Sequence, residues 1–216
     1  MRSRYRFHSL YYDPSFFLSL PELPANIRLF EINSVELAKI STLQTPQGIL
    51  ALVYLPEEQE PDIKTLKGHF SLLLDSVQDP GNLGTIIRTA DWFGIEHVIC
   101  SPETVDVYNP KTVQSTMGSL ARVSVGYTPL LPLIEAAAMP VFGALLQGQS
   151  IYATNWGQEG FILLGNEGHG IEQDLQKKIS VPVTIPRIGQ AESLNVAISA
   201  AIFCSELRRA ELNGAC

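Results

Sequence analysis

Three short polar segments hold the residues of this chain that could do chemistry. They run from Asp79 to Arg88, from Leu164 to Gly170 and from Ala191 to Ala197. Each follows an apolar run that is typical of a strand and precedes a stretch that is typical of a helix. In open α/β sheets, ligands bind in the loops that follow the carboxyl ends of the strands. The three segments therefore predict a single composite site.

The first segment pairs an amide with a guanidinium, since Asn82 and Arg88 lie six residues apart across a predicted strand-to-helix boundary. Arg88 has the apolar neighbours Ile86, Ile87 and Ala90, and an unpaired buried charge is costly. Arg88 therefore either extends its charged end into solvent or holds a phosphate with two hydrogen bonds. The residues alone leave both interpretations open.

The other two segments also have a structural and a functional interpretation. The glycines within Gly165–Gly170 allow a sharp turn and a close approach to a ligand, while Glu167 also suits the start of a following helix. Ser193 is explained as the N-cap of the terminal helix, with Asn195 in its first turn. The chain has no G-x-G-x-x-G after its first strand and no Walker A pattern, which argues against nicotinamide and P-loop sites.

The elements that must position these loops alternate between strands and helices from His69 onward. This alternation predicts a mostly parallel sheet with helices on both faces. The predicted strands are Phe70–Leu74, Val98–Cys100, Val123–Val125, Val141–Leu146, Phe161–Leu164 and Val181–Ile185. The predicted helices are 83–93, one beginning at Pro110, 130–138, 171–178 and 194–211.

The first 62 residues form a separate predicted unit. Strands over Ile27–Ile32 and Ile49–Leu55 flank a short helix over Ser34–Ile40, for which Ser34 is the expected N-cap. The acidic stretch Pro56–Asp62 has a proline near each end and is typical of a linker. We therefore predict domains over 1–62 and 63–216.

The composition bounds the class of protein. With 45% hydrophobic and 17% charged residues among 216, the chain is globular, and its longest apolar runs are too short to span a bilayer. A net charge of −7 argues against broad attraction to nucleic acid, although basic residues can cluster locally. Three widely spaced cysteines without a CxxC favour neither disulfides nor zinc, and Cys100 and Cys204 are expected in the core. We expect a cytoplasmic location.

Together and in this order, the polar segments resemble the three motifs of the SpoU (TrmH-type) RNA methyltransferases of the SPOUT superfamily. Asn82 to Arg88 matches the first motif and Leu164–Gly170 the second. Ile185–Pro186 followed by Ser193–Ala197 matches the third, and Asn109–Leu120 is similar to a further family segment. The co-occurrence of all these segments over roughly residues 69–212 makes the resemblance specific.

The resemblance implies a fold and a cofactor. It implies an α/β methyltransferase domain with a parallel sheet flanked by helices and a C-terminal trefoil knot, which ordinary topology rules would not suggest. S-adenosylmethionine is implied as the methyl donor, held largely by the backbone of Gly165, Ile185 and Leu194. A homodimer is also implied, with helix 194–211 in its interface.

The resemblance further implies methyl transfer to a ribose 2′-hydroxyl of ribosomal or transfer RNA. Arg88 would hold the phosphate of the target nucleotide and help to activate the hydroxyl, which is a poor nucleophile at neutral pH. Four polar residues would position the ribose and the knot loops: Asn82, Glu167, Ser193 and Asn195. The methyl sulfonium is already activated, so no metal is expected.

Ile27–Leu55 resembles the second half of the small α/β substrate-binding domain that often precedes this methyltransferase domain. We therefore expect residues 1–62 to be an RNA substrate-binding domain, apparently incomplete, in which Arg2–Phe17 stands in place of the first half. Two alternatives remain at this point: an RNA-binding protein that keeps the knot without catalysis, and methylation of a base. The Ser193–Asn195 signature favours the ribose.

Overall fold

The computed structural model describes residues 5–17, 23, 27–57 and 60–212. The chain divides into two compact units, Met1–Glu57 and Glu58–Cys216. The division falls within the predicted linker and slightly before the predicted boundary at residue 62.

The N-terminal unit is a three-stranded sheet with one helix. It contains β1 (Arg6–Tyr12), β2 (Arg28–Glu31), α1 (Ser34–Ile40) and β3 (Ile49–Tyr54). Strand β1 lies in the middle, parallel to β2 and antiparallel to β3. The sequence did not indicate β1 as a strand, because a register shift between Phe7 and Ser9 interrupts its alternation of inward and outward side chains.

The N-cap of α1 corrects the expectation of Ser34. The cap is Asn33, whose side-chain oxygen accepts from the backbone N–H of Glu36 at 3.0 Å. The carboxylate of Glu36 accepts in return from the Asn33 backbone N–H at 3.0 Å. This reciprocal capping box satisfies two backbone donors, which one serine at the next position cannot do.

The C-terminal unit contains six strands and six α-helices among the residues that the structure describes. The strands are β4 (Phe70–Leu74), β5 (His97–Cys100), β6 (Ser124–Tyr127), β7 (Val141–Ser150), β8 (Gly160–Leu164) and β9 (Val181–Thr184). The helices are α2 (Ile63–Leu66), α3 (Pro80–Trp92), α4 (Pro110–Ser115), α5 (Leu130–Ala137), α6 (Gln173–Gln176) and α7 (Val196–Leu212). The strand order is β6-β5-β4-β8-β7-β9, and every pair is parallel. The predicted parallel α/β sheet is confirmed.

Helices cover both faces of this sheet. On one face, Leu73, Phe161 and Leu163 belong to a buried cluster that includes residues of α2, α5 and α6. On the other face, the ring of Trp156 contacts that of Phe142 in a tilted arrangement and that of Phe203 edge-to-face, and so connects β7 to α7. Cys100 and Cys204 are fully buried, as expected. The central strands β4 and β8 are buried along their whole length, as in sheets packed on both faces.

The strand order brings two of the three polar loops side by side. The loops after β4 and β8 are neighbours because these strands pair directly. Strand β9 lies at the edge, beyond β7, so the segment after β9 must cross the ends of β7 and β8 to reach them. The same carboxyl edge of the sheet therefore carries all three predicted segments.

Candidate active site

A chain of side-chain hydrogen bonds joins the three polar loops. The Asn195 side-chain amide donates to the Asn82 side-chain oxygen at 3.0 Å. The Asn82 amide in turn donates to Oε1 of Glu167 at 2.8 Å. Residues far apart in sequence thus form one polar triad, which leaves the carboxylate of Glu167 exposed for further hydrogen bonds.

Asn195, rather than Ser193, caps the terminal helix, which begins at Val196. The Asn195 side-chain oxygen accepts from the backbone N–H groups of Ala197 and Ile198, at 2.9 and 3.3 Å. This cap fixes the orientation of the amide, because an oxygen that faces the helix leaves the NH2 group to face Asn82. The structural interpretation of Ser193 as the N-cap was therefore wrong, and the helix begins two residues later than predicted.

Asn82 is positioned by the start of α3. Asp79 is the N-cap of this helix, and its carboxylate accepts from the Asn82 backbone N–H at 2.8 Å. Lys111 donates to the other carboxylate oxygen at 3.2 Å. The hydrogen bond from Asn82, and to a lesser extent the Lys111 ammonium, lower the pKa of Asp79. Asp79 is therefore ionised at neutral pH, as suits a helix N-terminus.

A cavity of about 640 Å³ opens beside Glu167. Its walls come from the end of β7, the loop after β8 and the long segment after β9. Gly165, Ile185 and Leu194, the three residues predicted to contact a cofactor, all line it, as do Glu167 and Ser193. A Cβ on Gly165 would lie only 2.3 Å from the carbonyl carbon of Gly170, so the loop can close only with glycine there.

Arg88 lies outside the polar triad. Six residues along an α-helix correspond to a rotation of about 240°, so Arg88 and Asn82 lie on different sides of α3. Arg88 is exposed and has no hydrogen-bond or ion-pair partner among the residues that the structure describes. Both interpretations offered by the sequence stay open, because an exposed guanidinium without a partner in the described residues can extend into solvent or meet a phosphate.

Trp92, one turn beyond Arg88, is 84% exposed. The reason is its position on the helix. Leu83, Ile86 and Ala90 face the core, whereas Trp92 shares the outward side with Arg88 at a spacing of four residues. Trp92 and Arg88 together form an exposed aromatic and cationic surface on α3.

Asn166 is a site residue that the sequence analysis missed. Its side-chain oxygen accepts from the backbone of Gly168 at 2.7 Å, and its amide donates to the carbonyl oxygen of Ser76 at 2.7 Å. The available signal was an asparagine inside a glycine-rich turn, where its side chain often bonds to backbone two residues on.

Two further findings concern metals and membranes. Among the described residues, no group of three or more His, Cys, Asp or Glu side chains could hold a metal ion. In the same part of the chain, no helix combines the length and the hydropathy needed to cross a bilayer.

Comparison with known proteins identifies the family. The model of the SpoU rRNA Methylase family matches residues 69–205, which span all three polar loops. The chain therefore belongs to the SpoU rRNA methylase family. Among curated relatives, the 23S rRNA (guanosine(2553)-2′-O)-methyltransferase RlmP of Bacillus subtilis is 37% identical over 191 residues, covering 87% of this chain and 75% of RlmP. RlmB of Neisseria meningitidis, a 23S rRNA (guanosine-2′-O-)-methyltransferase, is 29% identical and covers 85% of this chain and 77% of its own length.

Solved structures of the SpoU type are also similar. An RNA methyltransferase of the TrmH family from Porphyromonas gingivalis has a TM-score of 0.85 and 41% identity, covering 95% of this chain and 84% of that one. An AdoMet-bound rRNA methyltransferase from Sinorhizobium meliloti has a TM-score of 0.80 and 27% identity, covering 95% and 81% of the two chains. The expected activity, S-adenosylmethionine-dependent methyl transfer to a ribose 2′-hydroxyl of RNA, is confirmed at the level of the family.

Proposed function

We propose that this SpoU methyltransferase methylates a ribose 2′-hydroxyl of large-subunit ribosomal RNA. The observation that carries the proposal is the triad of Asn82, Glu167 and Asn195, because it places an exposed carboxylate at the wall of a cavity large enough for a cofactor. The choice of ribosomal over transfer RNA is supported by the relatives RlmP and RlmB, both of which act on 23S rRNA. Action on ribosomal RNA would place the protein in the cytoplasm.

The cavity suits S-adenosylmethionine. Its volume of about 640 Å³ falls within the range of roughly 300–1,000 Å³ that is typical of small-molecule sites. The backbone of Gly165 forms part of the cavity wall. Ile185 and Leu194 supply apolar surface for a nucleoside and an aliphatic chain. When bound there, the cofactor supplies an activated methyl group on a sulfonium. These three residues are the proposed cofactor contacts.

The proposed catalytic work of the protein is orientation of the hydroxyl. Glu167 keeps one oxygen on Asn82, so its remaining acceptor positions can take a hydrogen bond from the ribose hydroxyl and turn its lone pair toward the methyl group. Asn195 restricts Asn82 and thereby the carboxylate. The hydroxyl of Ser193, on the cavity wall, adds a second contact to the ribose.

Arg88 is the proposed phosphate contact. A guanidinium carries its charge at every physiological pH and matches two phosphate oxygens in its geometry. Since Arg88 is exposed and unpaired within the described residues, it can bind the target nucleotide without first breaking an ion pair. The guanidinium, as a nearby cation, favours the loss of the hydroxyl proton, and an oxygen of the phosphate held there accepts that proton.

We also propose a homodimer and a knot. Trp92 on α3 and Ile198 on α7, which is 51% exposed, supply apolar surface on two helices of the same layer. The knot is supported by the crossing of the chain from the edge strand β9 back to Asn82, past the loop after β8. The N-terminal unit is the proposed RNA-binding domain.

The first experiment incubates the full chain with labelled S-adenosylmethionine and large-subunit RNA that lacks modification. The RNA is then digested to nucleosides for mass spectrometry. The proposal requires a 2′-O-methyl nucleoside from this RNA. A base-methylated nucleoside, or methylation of transfer RNA only, contradicts it. Binding of the cofactor without transfer would favour the non-catalytic alternative.

Arg88→Ala is the matched variant in the same assay. We expect it to retain the fold and the affinity for S-adenosylmethionine, because Arg88 contacts neither the core nor the cavity, but to lose most methyl transfer. Lys67→Ala serves as control, since Lys67 is an exposed cation away from the three loops. Undiminished turnover by Arg88→Ala would remove Arg88 from the mechanism.

A further inference from the structure

Asn166 links the Glu167 loop to the end of the neighbouring strand β4. Within the loop, its backbone exchanges two hydrogen bonds of 3.0 Å with Gly170, and its side-chain oxygen accepts from Gly168. Its amide points out of the loop and donates to the Ser76 carbonyl at 2.7 Å. The oxygen thus shapes the loop, and the NH2 group attaches the loop to the segment after β4.

Ser76 is held in an unusual backbone conformation. Its φ of 56° lies in the left-handed region, which residues other than glycine rarely adopt. Besides the carbonyl bound by Asn166, its N–H donates to the Ser101 hydroxyl at 3.0 Å, and its own hydroxyl donates to Asp75 at 3.0 Å. Ser76 is therefore fixed from three directions and provides a rigid point of attachment.

Asp75 makes a second link between the same two segments. It is 3% exposed, and its Oδ2 accepts from the backbone N–H of Glu172 at 2.7 Å, just beyond the Glu167 loop. Its own N–H donates to the carbonyl of Leu164, just before the loop. Hydrogen bonds thus attach the loop that contains Glu167 to the end of β4 at three places: just before the loop, within it and just after it.

These links close a ring that contains Asn82 and Glu167, two members of the polar triad. From Ser76 the chain runs six residues to Asn82, whose amide donates to Glu167, and Glu167 is bonded covalently to Asn166. Asn166 returns to Ser76. The Asn82–Glu167 hydrogen bond is therefore one side of a closed loop of contacts, and the Asn166–Ser76 bond is the opposite side.

We infer that Asn166 is a positioning residue for methyl transfer, acting with Asp75 to hold the Glu167 carboxylate at the distance where Asn82 can bind it. This inference rests on the proposed role of Glu167. The side-chain oxygen and the NH2 group of Asn166 both bond to backbone groups of the protein. Asn166 therefore acts through Glu167 rather than on the substrate. A carboxylate released from this arrangement would lose its orientation toward the ribose.

Asn166→Asp separates the two tasks of this side chain. A carboxylate keeps an oxygen for Gly168 and so preserves the shape of the loop, but it cannot donate to Ser76 and repels that carbonyl. Displacement of reacting groups by about 1 Å can cost on the order of a hundredfold in rate. We therefore expect kcat to fall by roughly tenfold to a hundredfold, with KM for the RNA within about twofold of the parent value.

The matched control is Asn155→Ala. Asn155 also accepts from a backbone N–H two residues on, that of Gly157 at 3.2 Å, but it lies outside the three loops. The control should leave kcat unchanged. Unchanged kcat in Asn166→Asp at saturating substrates, or an equal loss in Asn155→Ala, overturns the inference.

A double-mutant cycle with Asn82→Ala tests the route of the effect. If Asn166 acts through the Asn82–Glu167 bond, Asn166→Asp should reduce kcat far less once Asn82 is already alanine. Independent, multiplying losses overturn the inference. Asp75→Asn is only a secondary variant, because a change at this buried side chain also affects the stability of the fold.

A readout without turnover keeps this inference separate from the proposed function. In a nitrogen-15 NMR spectrum, the side-chain NH2 of Asn82 should lose its protection from solvent exchange in Asn166→Asp and keep it in Asn155→Ala. An unchanged Asn82 signal in Asn166→Asp overturns the inference even if the enzyme is active. Absence of ribose methylation by the parent protein overturns the proposed function. The NMR comparison still tests whether Asn166 holds Glu167 on Asn82, because it needs no turnover.

Discussion

Replacement of Gly165 by alanine should damage both the stability of the protein and the proposed cofactor site. The added Cβ would lie 2.3 Å from the carbonyl carbon of Gly170 and 2.4 Å from the nitrogen of Ile171. Non-bonded carbon atoms prefer about 3.5–4.0 Å, so the backbone of Gly170 and Ile171 must move by about 1 Å. That movement breaks the paired backbone hydrogen bonds between Asn166 and Gly170.

The cost can be assembled from these contacts. Overpacking typically costs about 1–3 kcal/mol, and each lost hydrogen bond costs about 1 kcal/mol. Replacing glycine also lowers the entropy of the unfolded chain, which stabilises the protein by about 0.4–1 kcal/mol. With two hydrogen bonds lost, the net destabilisation is about 2–5 kcal/mol, which for a chain of this size corresponds to a Tm lower by roughly 5–20 °C.

The assay is thermal unfolding together with calorimetric titration of S-adenosylmethionine. Because the displaced backbone forms the cavity wall, the cofactor Kd should rise by at least about tenfold, equivalent to 1.4 kcal/mol. Gly189→Ala is the matched control, since Gly189 also lines the cavity but an added Cβ meets no atom within 4 Å. A Gly165→Ala protein with the Tm and the Kd of Gly189→Ala would refute the reasoning.

Three further predictions concern packing and pH. Gly84→Ala should lower the free energy of unfolding by about 1–3 kcal/mol in urea titrations, because its Cβ would lie 2.4 Å from Cβ of Ser115 where α3 packs on α4; an unchanged midpoint would contradict this. Ser71→Ala should raise the free energy of unfolding by up to about 1 kcal/mol, since the buried Ser71 hydroxyl has no hydrogen-bond partner within the described part of the chain, and a clear loss of stability would contradict this. Burial raises the pKa of the Cys204 thiol to about 12, above its unfolded value of about 8.5, so its contribution to stability is complete below about pH 8 and falls as the pH rises toward 12. Cys204→Ala should make that alkaline decline shallower, and an identical pH profile would contradict the assignment.

The sequence predicted the C-terminal sheet well because its signals there are local and agree. The apolar run Phe70–Leu74 is a strand buried on both faces. Asn109 is the N-cap of α4, and Pro110 is the first residue of that helix. Boundaries were less accurate. Helix α3 begins at Pro80, three residues before the predicted start, because Asp79 caps it and Pro80 occupies its first turn.

The N-terminal strand β1 was missed for a physical reason. A register shift lies between Phe7 and Ser9, and the adjacent residues Ser9 and Leu10 are both buried, so no alternation of polar and apolar residues remains to be read. Pairing with β2 and β3, which lie later in the chain, is what makes this segment a strand. Such pairing is a tertiary property that leaves little local trace.

The sequence predicted that three loops would meet, but it could not predict which side chains would bond. The Asn82–Glu167 and Asn195–Asn82 contacts join residues separated by 85 and 113 positions. Contacts between residues so far apart in the chain leave no periodic pattern in the sequence. The family resemblance supplied the residues, and only the fold supplies their pairing and shows that Arg88 is on another side of α3.

Asn195 shows why local reasoning offered Ser193 as the cap. Serine and asparagine are about equally good at the N-cap, so Ser193 and Asn195 could not be separated by propensity. The site separates them, because the residue at the helix start must also donate to Asn82. An aspartate at 195 could cap the helix but not donate, and a serine is too short to do both. Asparagine is therefore required by the combination of the helix cap and the active site, and neither demand alone would have identified it.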